Sequence, residues 1–325
     1  MASDGTTIEF NHFDSVPLAT DHKYIGSSQS KNCLNNATIM TIMKEWKILR
    51  KSLPDSIYVH VYETRIALLR AVIIGPAGTP YHDGLFFFDI VLPSDYPNRP
   101  PEVYYHSFGY RLNPNLYENG VVCLSLINTW YGRKPEERWT RGSTILQLLV
   151  SLQGLVLNAR PVFNEPLLKM GKGSKFFLWK MISNSYNEDS FILSCQTMME
   201  VFRHPPKNFE SFVAQHFRLC TASVLAAIEH YKQGLALVGQ FEMNGAASSS
   251  SKPVRVSSKF KSRLTKIQGQ LKHVFAPFIP CPSNAEATAL VTERGDDGDQ
   301  SEEINEQQGK GLLQRITSSV KKIFE

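Results

Sequence analysis

The chain has 325 residues, of which 42% are hydrophobic and 20% are charged, and its formal net charge is +5. This length allows one or two domains with buried cores, and so small a charge does not by itself predict nucleic-acid binding. Residues 1–5 show neither a basic start nor an apolar segment, so no secretory signal peptide is expected, and no apolar run approaches the roughly 20 residues of a membrane-spanning helix.

The N-terminal part combines a polar segment with one amphipathic helix. Residues 1–36 are polar with few aromatic side chains, which predicts a mostly flexible lead-in. Between residues 38 and 51 apolar side chains recur at helical spacing, and Pro54 ends the helix. The outer side of this helix is basic and includes Lys44 and Arg50. It is either a solvated face or a docking surface for an acidic partner.

Four strand-like runs follow the helix. They span residues 57–62, 66–74, 85–92 and 102–106, and the short connections between them predict an antiparallel meander. Residues 93–101 contain four prolines, which cannot donate hydrogen bonds to a sheet, so this segment is expected to form an ordered, extended loop.

The next segment, residues 112–126, contains a candidate nucleophile. Cys123 follows Asn115 by eight residues, behind a turn with Pro114 and a loop that begins at Tyr117. A thiol in a constrained loop can attack an acyl carbon, and an asparagine amide can stabilise the oxyanion that forms. Taken alone, the pair is a weak signal.

Three helices are predicted after this loop, at residues 143–157, 189–203 and 209–234. Thr144 and Gln147 have the spacing of a capping box at the start of the first. The pattern divides the chain into the lead-in at 1–36, a core at 37–200, a helical extension at 201–240 and a low-complexity tail at 241–325. In the tail, residues 252–272 and 312–324 form two basic amphipathic segments that suit an anionic membrane surface, a partner groove or a transient helix.

The five cysteines are odd in number and widely spread, at positions 33, 123, 195, 220 and 281. No Cys-x-x-Cys pair or compact Cys/His cluster is present in the sequence, so neither a bound metal nor a disulfide framework is expected. Free thiols indicate a reducing compartment. We expect a cytoplasmic protein, with the nucleus or a membrane surface as further locations.

Several of these motifs together resemble the catalytic core of the ubiquitin-conjugating enzymes. The family pattern Thr-Pro-Tyr-x-x-Gly-x-Phe corresponds to residues 79–86, and its Asn-to-Cys loop corresponds to residues 113–124. Residues 110–117 and 156–166 are similar to the large plant-type and hybrid conjugating/ligase subfamily. The resemblance implies an α+β fold: a four-stranded antiparallel meander with an N-terminal helix, C-terminal helices and flexible tails.

The resemblance also implies a reaction. Cys123 would accept ubiquitin as a thioester from an activating enzyme and pass it to a lysine of a substrate protein, with or without a ubiquitin ligase. Asn115 would stabilise the oxyanion or the loop. The partners would be ubiquitin, the activating enzyme, a ligase and protein substrates, without nucleic acid. The chain would need no cofactor or metal, because the activating enzyme uses the ATP.

The sequence departs from the family pattern at two places, one in the Cys123 loop and one after the following helix. Asn113 replaces the family's motif histidine, and its amide can still support the loop, as Pro114 and Tyr117 would. The family's acidic residue after the catalytic helix has no clear equivalent, and Asn158 falls near its position. Cys123 has no neighbouring His or Lys in the sequence, so a strongly activated thiolate is not expected.

Other roles stay open at this stage. Lys44, Arg50, Pro97 and Trp139 match family surfaces for activating enzymes and ligases, although packing would equally explain Pro97 and Trp139. The alternative functions are a non-catalytic ubiquitin-binding variant and a conjugating enzyme for a ubiquitin-like modifier. A cysteine hydrolase would need a histidine partner motif, which the sequence does not resemble.

Overall fold

The computed structural model describes residues 10–26, 34–130, 137–165, 176–241 and 256–279. A helix, α1 (Asn36–Ser52), begins where the side chain of Asn35 accepts a hydrogen bond from the Thr38 amide at 2.8 Å. This cap satisfies one of the amides that have no partner within the helix. Ile42 and Leu49 turn inward and are fully buried, so the predicted amphipathic helix is confirmed.

Five strands form one sheet in the order of the sequence. Four of them make the predicted antiparallel meander and lie within two residues of the expected bounds: β2 (Ile57–Val61), β3 (Leu68–Ile74), β4 (Leu85–Val91) and β5 (Glu102–Tyr105). The sequence did not predict the fifth, β1 (Phe13–Ser15), which pairs in parallel with β2. The α+β prediction is confirmed, with a sheet that is mixed rather than purely antiparallel.

Part of the lead-in, which the sequence predicted to be mostly flexible, packs on the fold. Residues 10–26 run along the sheet, and Asp21 accepts a hydrogen bond from the buried Arg70 at 2.8 Å. Arg70 also donates to Asp89 on β4 at 2.6 and 3.0 Å. The other carboxylate oxygen of Asp21 accepts from the Lys207 amide at 3.1 Å. This charged cluster joins the lead-in, two strands and a loop between helices, which orders a segment that composition alone would leave free.

Both faces of the sheet are covered. One face packs against α1 and α2 (Ile145–Ser151), which begins with the predicted capping box of Thr144 and Gln147. The other face packs against α3 (Phe176–Arg203) and α4 (Glu210–Gln233), through a cluster that includes Phe87 and Phe217. In the described part of the chain, α4 alone has the length and apolar character of a membrane-spanning helix, and one side of it, which includes Phe212, Phe217 and Val224, is buried in this core.

The folded part extends beyond residue 240, where the sequence predicted a low-complexity tail. Residues Ser258–Val274 form α5, and its apolar side chains pack against α3 and α4. Phe260, Leu264 and Leu271 are buried there, so the apolar side of this basic helix is used inside the fold. The other predicted amphipathic segment, residues 312–324, lies outside the described residues.

Candidate active site

The loop that carries Cys123 is built on a tight turn. The amide of Gly120 donates to the Tyr117 carbonyl at 3.0 Å, and the amide of Tyr117 donates to the Val121 carbonyl at 3.1 Å. Gly120 has a φ of +85°, and a Cβ atom there would lie 2.0 Å from the ring of Tyr104. Only glycine fits both conditions, which gives a physical reason for the Tyr-x-x-Gly spacing.

Asn115 and Cys123 hold each other through two hydrogen bonds. The Cys123 amide donates to the Asn115 carbonyl at 2.8 Å, and the Asn115 side-chain amide donates to the Cys123 carbonyl at 2.7 Å. Asn115 therefore fixes the backbone of the nucleophile. Of the two roles expected for this residue, loop stabilisation is the one visible in the chain without substrate.

Asn113 is the central hydrogen-bonding residue beneath the loop. Its side-chain oxygen accepts from the amides of Asn115 at 2.9 Å and Leu116 at 3.0 Å. Its side-chain nitrogen donates to the Tyr81 hydroxyl and to the Val156 carbonyl, both at 3.1 Å. With four bonds and complete burial, Asn113 gives the loop the support that the resemblance assigned to a histidine. Pro114 is buried beside it.

The Val156 carbonyl is presented by an irregular helix end. After α2 the chain continues as a turn of π-helix, Leu152–Val156, in which the Leu157 amide donates to the Leu152 carbonyl at 3.0 Å. Such turns carry one residue more than an α-helix and are frequent at functional sites. The sequence predicted regular helix here and missed this feature, because the apolar spacing does not reveal it.

Asn158 lies in the loop after this turn and is occupied by local contacts. Its side-chain nitrogen donates to the Leu155 carbonyl and to the Asn164 side chain, both at 2.7 Å, and its oxygen accepts from the Arg160 amide at 2.8 Å. These bonds give Asn158 a role in shaping the loop. They do not make it a substitute for the family's acidic residue.

The thiol itself is only partly accessible. Cys123 is 8% exposed, and burial raises the pKa of its thiol, while a hydrogen bond with Tyr117 and the charge of Arg111 act in the opposite direction. The charge of Glu165 raises that pKa further. The net direction agrees with the expectation that the thiol is not strongly activated.

Arg111 and Glu165 are site residues that the sequence reasoning missed. The Arg111 guanidinium lies 4.4 Å from the centre of the Tyr117 ring, and Glu165 acts electrostatically on Cys123 and Tyr117. Both residues lie in the segments that resemble the plant-type subfamily, which was the available signal. The charge of the Glu165 carboxylate acts on the thiol, whereas the sequence had offered no clear acidic residue for this site.

The residues predicted to bind partners fall into two groups. Lys44 and Arg50 are exposed on α1, although Arg50 also lies 5.1 Å from the centre of the Phe13 ring. Trp139 is buried at 9% exposure, and its indole donates to the Pro97 carbonyl at 2.8 Å. Packing, one of the two roles left open for Trp139, is thus seen in the structure, and a partner contact of Lys44, Arg50, Pro97 or Trp139 remains a prediction.

A buried carboxylate of α1 joins the proline-containing loop at residues 93–101 to the start of α2. Glu45 of α1 accepts a hydrogen bond from the Tyr96 hydroxyl at 2.7 Å and from the Ile145 amide at 3.0 Å. It thereby ties the proline-rich loop to the start of the helix behind the active site.

Among the described residues, no group of three His, Cys, Asp or Glu is placed to hold a metal ion.

Comparison with known proteins agrees with this geometry. A family model described as ubiquitin-conjugating enzyme matches residues 41–170. Ubiquitin-conjugating enzyme E2 38 of Arabidopsis thaliana is 44% identical over 253 residues, which cover 78% of this chain and 77% of the relative. The human dual E2 ubiquitin-conjugating enzyme/E3 ubiquitin-protein ligase is 33% identical over 295 residues, covering 85% of this chain and 6% of the relative.

Some plant relatives are much longer than this chain. Ubiquitin-conjugating enzyme E2 23 of Arabidopsis thaliana is 46% identical over 276 residues, which cover 83% of this chain and 24% of the relative. The chain thus spans about a quarter of that protein. With E2 38 matched over most of both lengths, the predicted resemblance to plant-type members is confirmed. The chain belongs to the ubiquitin-conjugating enzyme family.

Proposed function

We propose that this chain accepts ubiquitin as a thioester on Cys123 and transfers it to lysine side chains of substrate proteins. The observation that carries the proposal is the pair of hydrogen bonds between Asn115 and Cys123, which fixes the backbone of the nucleophile in a partly exposed loop. A protein that only bound ubiquitin would not need its cysteine held in this way.

The first step exchanges one thioester for another. The Cys123 sulfur attacks the carbonyl carbon of the C-terminal glycine of ubiquitin, the bond from that carbon to the activating enzyme's sulfur breaks, and the thiol proton passes to water or to the departing thiolate. In the second step a lysine amine attacks the same carbon, expels the Cys123 sulfur and loses a proton. Because a thioester expels a thiolate, which is a good leaving group, the attacking thiol needs less activation for this exchange than it would need to cleave an amide.

Partners and location follow from the same proposal. Ubiquitin, the ATP-using activating enzyme, a ligase and protein substrates would meet the chain around the Cys123 loop and the exposed residues of α1. The described cysteines Cys123, Cys195 and Cys220 are free thiols, which suits a reducing compartment such as the cytoplasm or nucleus. Membrane contact through the tail would rest on residues 312–324. A vesicle-binding assay tests it: the full chain should bind anionic vesicles, and the Ile316→Asp variant should bind them more weakly.

A thioester assay tests the central proposal. Full-length protein, activating enzyme, ubiquitin and ATP should give an adduct that a thiol reductant cleaves. Cys123→Ser should give an adduct that resists the reductant, and Cys281→Ser should behave as the wild type. Failure to form an adduct with ubiquitin would overturn the proposal, and an adduct with a ubiquitin-like modifier instead would establish the alternative modifier.

Asn115→Ala separates the two steps. If the Asn115 amide turns to the oxyanion during transfer, its loss should slow discharge to lysine by about 10²–10³-fold and leave charging nearly unchanged. Single-turnover discharge of the preformed adduct to free lysine measures the effect. An equal loss in both steps would restrict Asn115 to a loop role, which its hydrogen bond to the Cys123 carbonyl supports.

A further inference from the structure

The turn between β3 and β4 is held from outside by α4. His82 and Asp83 lie in this turn, and the Nδ1 atom of His82 lies 2.8 Å from the Asp83 carboxylate. The Nε2 atom of His82 lies 3.0 Å from the hydroxyl of Tyr231, near the end of α4. The His82 ring also stacks on Phe191 of α3, with ring centres 5.2 Å apart. Three groups, Asp83, His82 and Tyr231, thus form a continuous chain of hydrogen bonds.

The hydrogen bonds of Tyr231 determine the direction of this chain. Its hydroxyl oxygen accepts a bond from the Gly239 amide at 3.0 Å, so its own proton is available to His82. Nε2 of His82 then accepts, and Nδ1 carries the proton that it donates to the Asp83 carboxylate. This direction of the chain corresponds to the neutral His82 tautomer with its proton on Nδ1.

Three further side chains of α4 bind Asp83. His216 donates from Nε2 to the Asp83 carbonyl at 2.8 Å, and the sulfur of Cys220 lies 3.8 Å from the same oxygen. The hydroxyl of Ser223 lies 3.5 Å from the Asp83 carboxylate. The spacing of four and three residues places all three on one side of the helix. Asp83 has a φ of +63°, a left-handed conformation that a residue other than glycine adopts only with support.

The same turn reaches the active site. Tyr81 precedes His82, is fully buried, and receives the side-chain hydrogen bond of Asn113 on its hydroxyl. The side-chain oxygen of Asn113 accepts a hydrogen bond from the Asn115 amide, and the side chain of Asn115 donates to the Cys123 carbonyl. Each link is a directional hydrogen bond between groups that are buried or nearly so.

We propose that α4 positions the Cys123 loop through this turn, with Tyr231 and His82 as positioning residues for the transfer of ubiquitin. The inference rests on the proposed function and extends it, because α4 lies outside residues 41–170, the segment that the family model matches. It assigns the helical extension a part in the reaction and not only in the stability of the fold.

A double-mutant cycle tests this proposal. Tyr231→Phe removes one hydroxyl, and it should slow single-turnover discharge to free lysine about three- to tenfold, with charging by the activating enzyme unchanged. Tyr81→Phe should have an effect of similar size. Because both hydroxyls act along one path, the double variant should be no slower than the slower single variant. Multiplied effects in the double variant would overturn the proposal.

Controls separate positioning from stability. Tyr58→Phe alters a tyrosine that packs against α4 at Phe212 and lies outside the turn, and its discharge rate should equal that of the wild type. The ¹⁵N chemical shifts of the His82 ring should change in Tyr231→Phe and stay unchanged in Tyr58→Phe.

If Tyr231→Phe does not fold, Ser223→Ala should replace it in the double-mutant cycle with Tyr81→Phe and give the same non-additive discharge rates. A wild type that cannot be charged refutes the proposed function, whereas a charged protein in which Tyr231→Phe discharges like Tyr58→Phe refutes the positioning role.

Discussion

Asn113 offers a quantitative test of the active-site architecture. Asn113→Ala removes the acceptor of two buried amides, those of Asn115 and Leu116, and the donor to the Val156 carbonyl. Each buried polar group that loses its partner costs about 1–3 kcal/mol, so the two amides alone predict a decrease of about 2–6 kcal/mol in the free energy of unfolding. This is a large fraction of the stability of a typical domain.

Urea denaturation followed by circular dichroism and tryptophan fluorescence measures this loss, provided that the two probes give coincident transitions. Asn113→His should fall between the wild type and Asn113→Ala, because a neutral imidazole has one donor and one acceptor and keeps at most two of the four bonds. Asn119→Ala removes an exposed acceptor in the same loop and should change stability by about 0.5 kcal/mol or less. A loss below about 1 kcal/mol for Asn113→Ala would refute the reasoning.

Three further predictions concern the fold around the site. Burial raises the pKa of the Glu45 carboxyl, so its contribution to stability falls as the pH rises above about 4, and the stability of Glu45→Gln relative to the wild type should increase from pH 4 to pH 7 in urea titrations. Although burial opposes ionisation, His106 and Arg70 hold the pKa of Asp89 well below its usual range; its contribution is therefore present above about pH 4 and lost as the pH falls below that value. Asp89→Asn should cost about 3–5 kcal/mol at pH 7, as measured by urea denaturation, and less at pH 3. Leu264→Ala in α5 should increase amide exchange in that helix, since replacing a buried leucine by alanine costs about 2–5 kcal/mol.

Each of these predictions has a contrary outcome. If the stability of Glu45→Gln changed with pH in the same way as that of the wild type, ionisation of this carboxyl would not contribute to the pH dependence of stability. Equal losses for Asp89→Asn at pH 3 and pH 7 would assign the effect to packing rather than charge. For α5, Lys266→Ala on its exposed side is the matched control, and equal exchange in both variants would mean that the helix is not held by its apolar side.

The elements with strong periodicity were predictable, and the elements that depend on distant partners were not. The strands β2 to β5 and the helices α1 and α4 show the expected spacing of apolar residues, whereas α3 begins at Phe176 and not at the predicted residue 189. In contrast, β1 has three residues in a polar segment and exists because Val59 and its neighbours on β2 provide a partner. The apolar stripe of α5 was visible in the sequence, but periodicity does not state what covers such a stripe.

In the active site, too, some residues could be identified from the sequence, whereas others depend on contacts between distant segments. The eight-residue spacing drew attention to Cys123 and Asn115, but only the resemblance to the family pattern assigned them a role and identified Asn113 beside them. The contributions of Arg111 and Glu165 depend on how two separate segments approach the thiol, which spacing does not encode. For Trp139 the sequence left packing and partner contact equally open, and it did not reveal the hydrogen bond to the Pro97 carbonyl.

The turn of π-helix at Leu152–Val156 makes the active site sensitive to chain length as well as to residue type. One residue fewer in this turn would restore regular helix and rotate everything that follows by about 100° around the helix axis. The Val156 carbonyl would then point away from Asn113, although neither residue had changed. Deletion of Gly154 would therefore remove the hydrogen bond that ties Asn113 to the helix end, while Asn113 and every side chain that contacts the thiol remained present.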